Sequence, residues 1–125
     1  MVLERINSPK DLKALSKEER KELAGEMREA LIERASRHMG HVGPDLGFVE
    51  ATIALHTVFD APEDQIVFDV SHQTYPHKML TGRREAYTDP AHYDDVGPYT
   101  DPAESPYDLF SIGHTSTSID LAIGI

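Results

Sequence analysis

A short apolar run, Ile66-Val67-Phe68-Asp69-Val70, leads into three side chains that both donate and accept hydrogen bonds: Ser71, His72 and Gln73. The run's β-favouring residues predict a short buried strand. Pro76 then suits the first turn of a helix that Gly82 can close. Open α/β sheets present their ligand sites at strands that deliver polar groups at their C-terminal ends and then turn into a helix. The unit from Ile66 to Arg84 therefore points to an α/β fold and places the first candidate site at residues 71–73.

The helices around this unit follow from local signals. Ser8 and Pro9 open a short helix reaching about Leu15. Ser16-Lys17-Glu18-Glu19 matches a capping box. The helix it starts carries Leu23, Met27, Leu31, Ala35 and Met39 at four-residue spacing, widened by Ala24, Ala30 and Ile32, and Gly40 ends it. Phe48 to Phe59 reads as a buried helix that Asp45 can cap, with Val49, Ile53 and the Leu55, Val58, Phe59 cluster on its apolar face. Tyr107 to Ile112 reads as a second short strand, and Ile119 to Ile125 begins another helix. Residues 88–106 form an acidic, proline-rich loop with no period. Two strands are too few for the sheet these helices would cover, and the sequence stops in apolar residues with no helix stop signal. Residues 1–125 thus read as one incomplete domain, helix-rich with few short parallel strands.

Composition removes several classes of function. A net charge of −10 argues against a nucleic-acid surface, which needs clustered Lys and Arg. No apolar run approaches the ~20 residues of a membrane span, and Met1 to Arg5 lacks a signal peptide's apolar core. The absence of cysteine removes disulfides and thiolate metal sites and fits a cytoplasmic location. Charge is unevenly spread. Glu85, Asp89, Asp94, Asp95, Asp101, Glu104 and Asp108 lie in a stretch without Lys or Arg.

Three histidines, His41, His72 and His114, sit beside Gly or Ser at the mouths of expected helices. His41 and His72 suit proton transfer near neutral pH or hydrogen bonding to a ligand. After Gly113 and His114, Thr115 to Ser118 place hydroxyls and backbone N–H groups at a helix N-terminus, a setting that favours an anion such as phosphate. His38, His56 and His92 have no surroundings that suggest a role. His72 and His77 are five apart across a proline, a poor metal-ligand spacing. Asp94-Asp95 lacks the alternation of a calcium loop, so no metal ligand is assigned. Pattern alone ends at an α/β domain with an anionic ligand.

The ordered blocks go further. Glu4-Arg5-Ile6-Asn7-Ser8-Pro9-Lys10-Asp11-Leu12, Gly40-His41-Val42-Gly43-Pro44, Asp69-Val70-Ser71-His72-Gln73 with Tyr75-Pro76-His77-Lys78, Leu80-Thr81-Gly82-Arg83-Arg84, Glu104-Ser105 with Tyr107-Asp108, and Gly113-His114-Thr115-Ser116-Thr117-Ser118 occur in sequence. Together they resemble the N-terminal part of the 1-deoxy-D-xylulose-5-phosphate synthase family, thiamine-diphosphate enzymes of the transketolase superfamily. The resemblance implies a partial three-layer thiamine-diphosphate-binding fold. It also implies a parent enzyme, a transferase that condenses pyruvate with glyceraldehyde 3-phosphate, releasing carbon dioxide, for isoprenoid, thiamine and pyridoxal synthesis. It casts His41 as the catalytic histidine and His72, Gly113, His114 and Thr115 as cofactor-binding residues. The magnesium ligands are expected beyond residue 125, and the full-length protein is expected to be a homodimer. The 125 residues alone are expected to be inactive. This chain has Ser71 where the family usually has Gly, and Thr115 where it has Ser. Its acidic stretch replaces a Gly-Gly-Leu segment and a basic residue. The acidic stretch leaves open a paralogue with another acceptor, and a non-catalytic module or subunit remains the alternative of a different class.

Overall fold

The computed structural model describes residues 1–40 and 42–125. Its longest element is α1, Lys17–Arg37, and the capping box that announces it is formed. The Ser16 hydroxyl accepts from Glu19 N at 3.1 Å while Ser16 N donates to the Glu19 carboxylate at 3.0 Å, which satisfies two of the donors a helix start leaves open. The buried face of α1 is Leu23, Ala24, Met27, Leu31 and Arg34. The expected continuation of that stripe fails. Met39 is 93% exposed, because the helix stops at Arg37 with His38 as its C-cap, and Ile32, off the buried face within the helix, is 56% exposed.

Short elements wrap this helix. The segments Leu3–Arg5 and Pro9–Ala14 are 3₁₀ turns, the second with Ser8 and Asp11 forming its own capping box. The Glu26 carboxylate on α1 accepts from Val2 N and Leu3 N at 3.1 and 2.9 Å, clipping the first turn down. Helices α2 (Gly43–Gly47) and α3 (Val49–Val58) follow, then α4 (Tyr75–Leu80), α5 (Glu85–Thr88), a 3₁₀ turn Pro90–Asp95, and α6 (Ser118–Ile123). Leu3, Ile6, Leu12, Leu23, Met27, Leu31, Val49, Ile53, Met79, Leu80 and Tyr87 form the core, where α1 meets α3, α4 and α5. Gly82 closes α4 at φ +95°, a conformation open to glycine without a Cβ penalty. No residue of α6 is buried. No helix among the described residues is long and apolar enough to cross a membrane.

The fold is helix-rich, and the expected parallel strands are not formed among the described residues. The reason is physical. Ile66 to Asp69 and Tyr107 to Ile112 do not exchange the backbone hydrogen bonds that define a ladder; side chains from outside both segments reach the second one instead. The Ser71 hydroxyl donates to Ile112 O at 2.8 Å, and the Thr100 hydroxyl donates to Phe110 O at 2.7 Å. Extension also ends abruptly at Val70 and Ser71, which take φ +58° and +72°.

Candidate active site

The two left-handed residues before His72 are the local strain of the site, since a β-branched residue at positive φ is a true outlier. Ser71 is fully buried, and its hydroxyl holds the turn in place. It accepts from Thr100 N at 3.0 Å as well as donating to Ile112 O. One hydroxyl thus ties together the segments that carry His72, Tyr99 and Gly113. Ser71→Ala keeps the same backbone strain but leaves a buried N–H and a buried C=O without partners. It should cost about 1–3 kcal/mol, read as a lower midpoint in urea with an unchanged slope.

His72 lines a cavity of ≈440 Å³ with Arg34, His38, Gly40, Tyr75 and Tyr99. Its Nδ1 is buried without a hydrogen-bond partner among the described residues. Gly113 and His114 line a second cavity of ≈640 Å³ with Tyr99, Thr100 and Glu104. Tyr99 borders both cavities, and a Cβ added to Gly113 would meet its ring at 3.5 Å. The structure therefore brings His72, Gly113 and His114 to one region. Thr115 is exposed nearby in sequence but borders neither cavity. His41 lies outside the described residues.

The helix mouth at 115–118 differs from expectation. Its donors are already occupied: the Asp69 carboxylate accepts from Ser116 N at 3.1 Å, Ser118 N at 3.3 Å and the Ser118 hydroxyl at 2.7 Å. These bonds, that from Ser116 N foremost, hold the Asp69 carboxyl below its usual range. The anion at this mouth is the chain's own.

A buried polar network underlies the site. Asp108, 3% exposed, accepts from His77 Nε2 (2.9 Å), Arg83 Nη1 (2.7 Å) and Nη2 (2.9 Å), and Asp101 N (3.0 Å). Burial opposes its charge, but the bonds from Arg83 and His77 prevail and hold the carboxyl well below the carboxylate range. An ionised carboxylate can only accept, so His77 carries its proton on Nε2, and its Nδ1 accepts from His56 Nε2 at 2.9 Å. Burial, the largest influence, pushes His56 down to about 3 and lowers His77 despite Asp108. Both imidazoles are neutral at pH 7. Lys78, fully buried, donates to Gly97 O, Tyr99 O and Glu104 at 2.8, 2.7 and 2.9 Å. Arg83 also reaches Glu104 at 2.9 Å.

This network accounts for the acidic stretch. Glu104 and Asp108 are neutralised by Lys78 and Arg83. Asp94 pairs with His38, Asp95 with His92 and Glu85 with Arg84. Asp89 and Asp101 accept from nearby backbone N–H groups, those of Ala91 and Ala103. The stretch contains α5 and a 3₁₀ turn rather than one irregular loop.

Two more buried groups matter here: Arg34 has no reading in the sequence, and Asp45 reads there as the cap of the helix from Phe48 to Phe59. The Arg34 guanidinium lies 5.0–5.5 Å from the ring centres of Tyr75, Tyr87 and Tyr93 and donates to Ala86 O and Tyr93 O. Its signal was available, since Arg34 follows Met27 by seven residues and Leu31 by three on the apolar face of α1. Asp45 does not cap α3. It sits inside α2, and its Oδ1 accepts from Tyr75 N at 2.9 Å, capping α4. No group of three or more metal-ligating side chains occurs among the described residues.

The model of the 1-deoxy-D-xylulose-5-phosphate synthase family matches residues 3–125. The chain belongs to the 1-deoxy-D-xylulose-5-phosphate synthase family. It is 50% identical over 124 residues to the 1-deoxy-D-xylulose-5-phosphate synthase of Chromobacterium violaceum, covering 99% of this chain and 20% of that protein. Identity is 51% to the synthase of Thioalkalivibrio sulfidiphilus (99% and 19% covered) and 48% to that of Dictyoglomus turgidum (99% and 20% covered). The chain spans about one fifth of the length of these family members and corresponds to their N-terminal region.

Proposed function

We propose that this chain forms one wall of the cofactor site of a 1-deoxy-D-xylulose-5-phosphate synthase, the transferase that joins pyruvate to glyceraldehyde 3-phosphate with loss of carbon dioxide. The observation that carries this reading is the family match over residues 3–125. The meeting of His72 with Gly113 and His114 about Tyr99 agrees with it. Bound thiamine diphosphate supplies the carbanion chemistry of such a reaction. The residues present fit a polar organic cofactor in one respect: His72 Nδ1 is buried and unpartnered among the described residues.

His72 would hydrogen-bond the cofactor through that nitrogen. Gly113, His114 and Thr115 would border it on the other side of Tyr99. His41 would hold or move a proton on the substrate. Ser71 and the His56, His77, Asp108 network would keep the walls in register without touching substrate. Magnesium would be held by ligands outside these residues. The parent enzyme would be a cytoplasmic homodimer serving isoprenoid, thiamine and pyridoxal synthesis, and the chain by itself would not turn over. Of the acids at 85–108, only Glu85, Glu104 and Asp108 pair with Lys or Arg among the described residues, so a paralogue with another acceptor stays the alternative reading.

A chimera tests this. Residues 1–125 would replace the corresponding segment of the Chromobacterium violaceum synthase. Carbon dioxide release from pyruvate and glyceraldehyde 3-phosphate should stay within about tenfold of the parent, and His41→Ala should lower it by about 10²-fold or more. A folded chimera that is inactive with glyceraldehyde 3-phosphate would overturn the reading.

A further inference from the structure

Arg34 is 4% exposed, yet among the described residues no carboxylate pairs with it, whereas the other buried cations, Lys78 and Arg83, both have acidic partners. A buried charge is normally paired, because removing it from water is costly. Three tyrosine rings and two backbone carbonyls hold Arg34 in place. They fix its position without an ion pair, although the buried Asp45 carboxyl feels its charge. Arg34 lines the ≈440 Å³ cavity that His38 and His72 also line, and no Asp or Glu lines it.

Of the two histidines, His38 has both ring nitrogens engaged, by Met39 O at 3.1 Å on Nδ1 and by Asp94 at 2.7 Å on Nε2. Asp94 is 93% exposed on its side chain and sits outside the cavity lining. His72 brings a buried nitrogen without a partner among the described residues. Gly40 keeps the entrance close to Tyr75, whose hydroxyl would lie 3.3 Å from a Cβ there. In a chain of net charge −10, Arg34 gives this open cavity a positive wall.

We propose that this cavity binds the oxyanion group, phosphate or carboxylate, of a small organic ligand, with Arg34 as its fixed cation and the His72 nitrogen, unpartnered among the described residues, beside it. The site shares His72 with the cofactor reading above and rests on that reading in this one residue. An arginine preorganised by packing suits this role, since its planar fork matches oxyanion geometry with little ordering cost.

Solution NMR of the full chain tests the inference, following the Arg34 Nε–H and the His72 and His38 ring signals. Inorganic phosphate, pyruvate and thiamine diphosphate with magnesium would be titrated separately. Saturable shifts at Arg34 and His72 are expected with phosphate or pyruvate, and the probe that gives them identifies the oxyanion. Arg34→Met should weaken that binding at least about tenfold, and Arg34→Lys should restore part of it. If Arg34→Met does not fold, the wild-type shifts alone decide. Shifts confined to other residues, or unchanged affinity in a folded Arg34→Met, would overturn the proposal. Cofactor binding without any response to phosphate or pyruvate would overturn it while leaving the cofactor reading intact. A phosphate response without cofactor binding would support the proposal and leave the cofactor reading to the chimera, because the magnesium ligands are assigned outside these residues.

Discussion

Asp108→Ala is expected to cost about 3–5 kcal/mol, the typical penalty for removing one partner from a buried charged network. With typical domain stabilities of about 5–15 kcal/mol, such a loss brings the chain near its unfolding midpoint at 25 °C. The size follows from the donors left behind. Four N–H groups converge on this carboxylate, two from Arg83, one from His77 and one from Asp101. Alanine would strand the His77 and Asp101 N–H groups, while Arg83 would keep Glu104 on Nη1 and the Thr81 hydroxyl on Nη2. The loss would spread beyond the residue itself. His77 would lose the bond that fixes its tautomer, and with it the reason His56 donates to Nδ1 rather than accepting from it. Urea denaturation followed by circular dichroism reads the effect. A cost under about 1 kcal/mol would show that the network contributes little, as exposed pairs do.

Asp45→Asn should stabilise the chain in alkali, by about 2–4 kcal/mol at pH 8. Asp45 is fully buried, and burial raises its carboxyl to about 7, against the smaller opposing effects of the Tyr75 N–H, Arg34 and Lys78. Its folded value therefore lies above its unfolded value of 3.8. The stability linked to its proton is complete below about pH 4 and is lost as the pH rises through 7. Asparagine keeps an oxygen for Tyr75 N and carries no charge to desolvate. Its second polar atom faces the same partnerless setting as Asp45 Oδ2, so that cost is common to both proteins. The two stability curves should coincide near pH 4 and separate between pH 5 and 8. His56 and Asp108 act at the acid end, where their depressed values favour folding at higher pH, and they are the same in both proteins. Parallel curves across this range would contradict the assignment.

Local signals were readable where they were local. The capping box at Ser16, the proline at the start of α4 and the glycine at its end each specify geometry within four residues, and each is formed. Features set by distant partners were not readable. The stripe on α1 appeared to run on through Ala35 and Met39, but the buried position is Arg34, whose tyrosine cage comes from Tyr75, Tyr87 and Tyr93. Ile66 to Val70 has strand composition, yet a ladder needs a neighbour at the right register, and here the Ser71 and Thr100 side chains reach Ile112 and Phe110 instead. The serine and threonine run at 115–118 reads as an anion-binding helix mouth, and the Asp69 carboxylate, some fifty residues earlier, accepts from its Ser116 and Ser118 donors. Glu104 and Asp108 show no partners in the sequence, because Lys78 and Arg83 lie on the preceding segment and reach them only through the fold. His72 and His114 stand out by residue type and position and Gly113 through the family resemblance, and the fold brings them together about Tyr99, which has no signal of its own.

Hydrogen exchange on the chimera, with and without thiamine diphosphate and magnesium, tests the central claim most directly. Cofactor should slow exchange at residues 71–75, 97–100 and 112–115 and leave the first turns of α1 and all of α3 unchanged. Saturable cofactor binding with no added protection in those three segments would contradict the account.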